Sequence, residues 1–303
     1  ADDVGSQARF AYLSGAPVLG PEGDIYVADA LNQVVRKIRL STAAVSTVAG
    51  QPGVEGFADG PLNFATLTTP WAVQFDTQGH LWIADGSSEH LRRIASNGSL
   101  ETVFTSPYGM VGSPDSLLPQ ADGSMLFGDV GRDDIRQVTP AGVVSVFAGS
   151  QTGWLDGPKA SARFYTPVGL VRDRAGNILV ADKNSHAIRK ISPDGRVSTL
   201  AGRLGVKGYA NGSGSDALFN EPLELSIDEN DNLYVSEYVN CTLRKVTSAG
   251  VVSTVAGQPG VCGTKLGALP AGLPANVGVL YLGNKRLLLT TNTAALILTI
   301  TSP

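Results

Sequence analysis

One phrase recurs along this chain of 303 residues: a glycine, an apolar triplet, Ala-Asp, a few polar residues, a basic strand, a turn, and a Val-Ser-Thr-Val-Ala-Gly ending. The first copy holds Ile25-Tyr26-Val27-Ala28-Asp29, then Val35-Arg36-Lys37-Ile38, then Val45-Ser46-Thr47-Val48-Ala49-Gly50. Four further copies centre on Asp85, Asp129, Asp182 and Glu237, and a weaker sixth runs from Pro274 to the end. An anchor about nine residues before the glycine-like turn sets the register: Leu13, Pro70, Pro114, Pro167, Pro222 and Pro274, spaced 57, 44, 53, 55 and 52 residues apart. A period of that size, with four short strand signals per copy, describes propeller blades. Apolar residues alternating with period two, rich in Val, Ile and Thr, exclude helical repeats. The expectation is an all-β, six-bladed β-propeller of four-stranded antiparallel blades. It forms one domain over residues 1–303, with blades starting near 13, 70, 114, 167, 222 and 274.

Composition narrows the class. Hydrophobic residues are 43% and charged residues 17%, with 23 basic against 27 acidic side chains and a net charge of −4. Charges of the two signs are mixed rather than blocked, which disfavours disordered and strongly basic nucleic-acid-binding classes. No apolar run reaches the roughly 18 residues of a membrane span. The opening Ala1-Asp2-Asp3-Val4 suits a mature end left by signal cleavage, and a trimmed chain would read the same. Val4 to Phe10 also reads like the inter-blade segment Pro158 to Phe164. The chain therefore begins in a connector and stops before a fourth strand of blade six. Either upstream residues complete that blade, the preferred reading, or its edge is left open and incomplete.

The repeat resembles the NHL-repeat family of β-propellers, clearly over five blades from about Leu13 to Gly257 and faintly over the sixth. The resemblance implies the propeller fold. It leaves function open, since the family includes RNA-binding and protein-binding modules, extracellular sensor domains and a peptide-amidating lyase.

The most repeated polar residues are an acid ending each second strand and an arginine seven residues later: Asp29 and Arg36, Asp85 and Arg92, Asp129 and Arg136, Asp182 and Arg189, Glu237 and Arg244. In the sixth copy Thr291 and Leu298 replace both at once. A pair retained or lost as a unit points to a charge-assisted hydrogen bond within each blade, a structural role.

Binding is expected on the face that carries the long inter-blade links and the second-to-third strand loops. That face displays Phe57, Trp154, Tyr165, Tyr209 and Tyr238, while Phe10, Phe64, Phe164 and Phe219, which precede the anchors, read as core plugs. The two positions after each anchor are expected to top the central channel, which makes Trp71, Asp115, Ser116, Glu224 and Asn276 candidate binding residues. Asp115, Glu224 and Asn276, oxygen ligands from separate blades, are what a Ca²⁺ or other divalent site needs. By position alone they are similar to the metal site of lactonase and phosphotriesterase propellers. A solvated polar channel mouth explains the same residues and is the preferred reading, with no cofactor required.

Three histidines, His80, His90 and His186, do not supply the amidating lyase's three-His zinc site, because His80 belongs to the opposite face and the other two read as peripheral surface residues. No nucleophile elbow, phosphate loop or Cys-x-x-Cys is present. Cys241 and Cys262 reach the same end of neighbouring strands, so a disulfide is expected, and with it a secreted, periplasmic or cell-surface location. Three functions follow. The first is a binding or scaffold module for protein, peptide or glycan. The second is a metal-assisted hydrolase or lyase. The third, RNA binding, is disfavoured by the link acids Glu55, Asp59, Asp156 and Asp216.

Overall fold

Each clear copy of the repeat folds as an antiparallel sheet whose second strand is buried on both faces. In the fourth blade the strands are Pro167–Arg172, Ile178–Asp182, Ala187–Ile191 and Arg196–Gly202. Every residue of Ile178–Asp182 is buried, as is every residue of Ile25–Asp29, Leu81–Asp85, Met125–Asp129 and Leu233–Glu237. Period-two alternation survives on outer strands; the second strand reads as a continuous apolar run because it is packed on both sides. The turn before it needs a left-handed residue, and Gly79, Gly123, Gly176 and Gly283 supply φ near 80–85°. Asp231 holds that place at φ 59° in the fifth blade.

The computed structural model describes residues 1–86, 90–106, 112, 114–265, 272–275 and 277–300. The described sheets are six, the blades of a β-propeller. Pro70, Pro114, Pro167 and Pro222, like Leu13, each open the first strand of their blade. The sixth blade departs: its first strand is Gly278–Tyr281, past Pro274, and its three described strands end with Arg286–Thr290 and Ala295–Thr299.

Four strands per blade is also corrected. Four sheets have five strands, because a dipeptide of the entering link runs back along the fourth strand. Asp3–Val4 pairs with Ala44–Ala49, Gly60–Pro61 with Ser99–Thr105, Gly157–Pro158 with Arg196–Gly202, and Gly212–Ser213 with Val251–Ala256. This covers an edge that would otherwise offer free backbone groups. The third blade, entered after the shortest anchor step, has four strands. The likeness of Val4–Phe10 to a connector holds, since Asp3–Val4 takes the connector's place at the first blade.

The chain divides into two compact units, Ala1–Phe127 with Arg136–Ser145 and Thr290–Ala295, and Gly128–Ile135 with Val146–Leu289 and Leu296–Pro303. In the first, Val35, Ala65, Leu67, Val73 and Ile83 pack between the first two blades. In the second, Ile188, Ala201, Phe219, Val235 and Leu225 do the same for blades four and five. Phe164 and Phe219 are fully buried plugs as expected. Phe64 is not; it is 68% exposed, and Leu67 is buried in its place. Like Phe164 and Phe219, Leu67 lies three residues before its anchor, so distance from the anchor sets the plug and aromatic character does not. No helix among the described residues is long and apolar enough to cross a membrane.

Candidate functional site

The blade arginines come first, since burying a guanidinium demands partners for all its donors. Arg189 is fully buried, and its Nη1 donates to Asp182 Oδ2 at 2.6 Å and to the Arg163 carbonyl at 3.1 Å. Its Nη2 donates to Asp156 Oδ1 at 2.6 Å and to the Leu155 carbonyl at 3.0 Å. Arg244 repeats this with Glu237 Oε2 at 3.0 Å, Asn211 Oδ1 at 2.8 Å and the Ala210 carbonyl at 2.8 Å. Arg92 lies 2.6 Å from Asp59 and 3.7 Å from Asp85. Arg36 makes its ion pair with Asp2 at 2.9 Å. In the third blade Asp129 Oδ1 accepts the Gly131 N–H at 3.2 Å, and Arg136 is half-buried on the third strand.

The expected acid–arginine pair is thus close in blades four and five and looser in blade two, while in blade one the arginine's acid comes from the link. The strand-end acids also cap backbone: Asp29 takes the Ala11 and Tyr12 N–H groups, Asp85 those of Thr68 and Thr69, Asp182 that of Tyr165 and Glu237 that of Asn220. Sequence reading missed the second layer of partners, Asp2, Asp59, Asp156 and Asn211. Each of Asp2, Asp59 and Asp156 also accepts the N–H of an outer-strand threonine, Thr47, Thr102 and Thr199. Their signal was present: three stand 33 residues before their arginine, inside Gly-aromatic-x-Asp/Asn-Gly phrases at Gly56–Gly60, Gly153–Gly157 and Gly208–Gly212. Burial pushes the Asp182 carboxyl up to about 6, against the opposing pull of Arg189 and the Tyr165 N–H.

The aromatic of each phrase stays at the surface but is held from below. Phe57, 66% exposed, stacks on the His90 ring at 5.8 Å. Tyr209, 36% exposed, covers Arg244 at 4.6 Å and shares a hydrogen bond with Thr254 Oγ1. Trp154, 50% exposed, packs so close to Gly205 that a Cβ there would meet the indole at 3.0 Å. In the same unit Tyr238 lies under Lys183 Nζ at 5.0 Å, and Lys183 pairs with Glu221 at 3.5 Å. Links and second-to-third loops leave the same ends of their strands, so in blades four and five these rings share one side of the sheets.

His90 and His186 are half-buried rather than peripheral. His186 sits at φ 56°, and its Nδ1 accepts the Glu221 N–H at 3.2 Å. Asp133 does the same work one blade earlier, accepting the Thr166 N–H at 2.7 Å. Burial, with Lys207 adding and Glu221 opposing, holds the His186 imidazole below its ordinary value.

The residues after the anchors behave differently from expectation. Gly15 and Gly169 stand where a Cβ would meet the Trp71 carbonyl at 2.6 Å and the Leu223 carbonyl at 2.7 Å. Small residues at that second position therefore answer to close approach of the next first strand, not to a channel opening. Trp71 Nε1 donates to Asp115 Oδ2 at 2.8 Å within the first unit, and Ser116 is buried beside it in sequence. Glu224, 5% exposed, lies on the first strand of the fifth blade, its N–H donating to Ser236 Oγ at 3.1 Å. Asn276 lies outside the described residues. Among the described residues no group of three His, Cys, Asp or Glu is placed to hold a metal. One Asp115 oxygen is already engaged by an N–H donor, which competes with a cation, so the described donors do not by themselves make a coordination set.

The two cysteines do pair. Cys241, buried at φ 54°, is bonded to Cys262 with Cα atoms 5.3 Å apart across 21 residues, tying the fifth blade's second-to-third loop to the link that leaves it.

Comparison with known proteins agrees with this architecture. The NHL repeat model matches residues 164–191, which hold Asp182 and Arg189. Human NHL repeat-containing protein 2 is 29% identical over 293 residues, covering 79% of this chain and 39% of the relative. The chain thus spans about two fifths of the length of that relative. A Bacteroides thetaiotaomicron protein of unknown function superposes with a TM-score of 0.74 at 20% identity, covering 98% of this chain and 72% of its own. A Xanthomonas campestris gluconolactonase does so at 0.62 and 14%, covering 95% and 86%. At these identities the superpositions show the fold.

Proposed function

We propose that this chain is an NHL-repeat propeller and that residues 1–303 work as one binding or scaffold domain that engages a protein, peptide or glycan through the long-link side of its blades. The observation that carries this is the set of half-exposed rings on blades four and five, Trp154, Tyr209 and Tyr238, each packed on one face against a cation or backbone. Rings ordered before binding lose little entropy on contact, which is how aromatic anchors contribute affinity. The Cys241–Cys262 disulfide supports a secreted, periplasmic or cell-surface setting. A net charge of −4 argues against a nucleic-acid partner.

The test is a binding screen on immobilised glycans and displayed peptides with wild type, Trp154→Ala and Tyr238→Ala. A ligand whose affinity falls about tenfold or more in either variant, at unchanged melting temperature, supports the reading. A ligand indifferent to both moves recognition off this side.

A second reading, a metal-assisted hydrolase or lyase, draws on one observation: Glu224 is an acid buried on a first strand. A divalent ion polarises a carbonyl or activates water. Metal content and chelator-dependent melting test it; a metal-free protein that hydrolyses neither lactone nor ester removes it.

A further inference from the structure

In the first unit a cleft of about 270 Å³ opens between the first two blades, at the end opposite the long links. Its apolar lining is Tyr26, Val48, Leu62, Phe75, Leu81 and Ile94, and Gln78 and Ser96 join it from the two adjacent turns. Val48, Leu62, Phe75 and Ile94 are the partly buried fringe of the core between those blades, so the cleft is that core left open at one end. Phe75 meets the Tyr26 ring edge-on at 5.0 Å. Tyr26 turns its hydroxyl to Glu22, leaving its ring as wall rather than as hydrogen-bonding group.

His80 lies at the rim. Its place in the first-to-second strand turn belongs to Asn177 in blade four and Asn232 in blade five. There the asparagine amide donates to the turn's own aspartate, Asn177 Nδ2 to Asp173 Oδ2 at 2.7 Å and Asn232 Nδ2 to Asp228 Oδ2 at 2.9 Å. His80 makes the same contact through Nδ1, 3.1 Å from Asp76 Oδ2. Asp76 also accepts Trp82 Nε1 at 3.0 Å and the backbone N–H groups of Gln78 and His80, each at 2.9 Å. So many donors keep Asp76 an acceptor, and the His80 proton is thereby fixed on Nδ1. An imidazole does the turn's structural work and carries its second polar atom, Nε2, across the ring, farther out from the backbone than an asparagine's Oδ1. In the neutral ring Nε2 is a hydrogen-bond acceptor.

We propose that this cleft is a binding site for a small planar apolar molecule carrying a hydroxyl, its ring set against Tyr26 and Phe75 and its hydroxyl donated to His80 Nε2. Apolar walls with a few placed polar groups are the ordinary makeup of a small-ligand site. The volume falls just below the roughly 300 Å³ at which drug-sized pockets begin, which restricts the ligand to one or two rings. Leu62 comes from the link between Gly50 and Pro70, but the rings of the proposed binding side stand on blades four and five, so either assignment can fail alone.

The test is a titration of the whole chain at pH 7.5 with phenol and, separately, toluene, followed by the NMR signals of the Tyr26 and Phe75 rings, which line the cleft in wild type and variant alike. Phenol is expected to shift them saturably in the millimolar range and to bind roughly 3–10-fold tighter than toluene, the worth of one hydrogen bond. His80→Asn, which installs the residue of the sister blades, should keep the melting temperature and bring phenol down to toluene's affinity. Equal affinities in wild type, or no saturable shift up to the solubility of phenol, overturns the proposal.

Discussion

The fourth and sixth blades run the same strand plan with opposite ways of holding it. In the fourth, buried Arg189 gathers Asp182 from its own blade and Asp156 from the entering link. In the sixth, Thr291 and Leu298 stand in those places. Thr291 closes only its own loop, its Oγ1 accepting the Ala294 N–H at 3.1 Å, while Leu298 packs against the core of Leu287 and Leu289. The fourth blade thus has its link fastened by charge, and the described sixth blade has three strands held by apolar contact and a local turn. A buried ion pair contributes little net stability against apolar packing, but losing one partner strands the other. The arginine's chief effect is therefore to specify where the link goes.

Breaking that comparison gives the largest effect. Arg189→Ala leaves Asp182 and Asp156 without their cation and should cost about 3–5 kcal/mol in denaturant unfolding. Asp182→Ala should cost about 2–4 kcal/mol, because Arg189 keeps Asp156; an unchanged melting temperature would contradict a structural pair. Reducing Cys241–Cys262, which closes a loop of 21 residues, should cost about 3 kcal/mol. It should leave blade four, followed by hydrogen exchange at Ile188 and Val180, protected.

Two pH effects sharpen it further. Asp182 is raised from 3.8 to about 6 in the fold, so the folded state holds its proton longer than the unfolded chain. The stability difference between wild type and Asp182→Asn should therefore decline as pH rises from about 4 to about 6. His186 runs the other way. Its pKa is lowered from 6.5 and its Nδ1 must stay unprotonated to accept from Glu221, so its contribution is whole above about 6.5 and is lost as pH falls through the lower folded value. His186→Asn should flatten that acid limb. The smallest effect belongs to blade six, where Thr291→Ser keeps the loop hydroxyl, loses one buried methyl and should cost about 1 kcal/mol or less.

Much of this was legible from residues alone. Five of the six first strands open on the anchor that the repeat singled out. The turn glycines hold the left-handed conformation, and Cys241 meets Cys262. The misreadings share one cause. Phe64 precedes its anchor and so reads as a plug with Phe10, Phe164 and Phe219, but the plug position three residues before the anchor holds Leu67. At Gly169 the neighbouring strand's backbone decides the residue, since the Leu223 carbonyl lies 2.7 Å from where a Cβ would be. Asp59 and Asp156 read from the sequence only as link acids that disfavour RNA, and in the structure each grips an arginine 33 residues along the chain.

Blade number, strand order, turn conformation and the disulfide were determined by the sequence itself, because each rests on contacts within one repeat, whose pattern recurs often enough to read. Only the tertiary structure decided which acid meets which arginine, that His80 spans its turn aspartate and a cleft, and that rings such as Trp154 and Tyr209 are fixed rather than free. The link acids lie 33 positions from their arginines, and the cleft's walls come from two neighbouring blades. At such separations packing geometry, and not local spacing, chooses the partner.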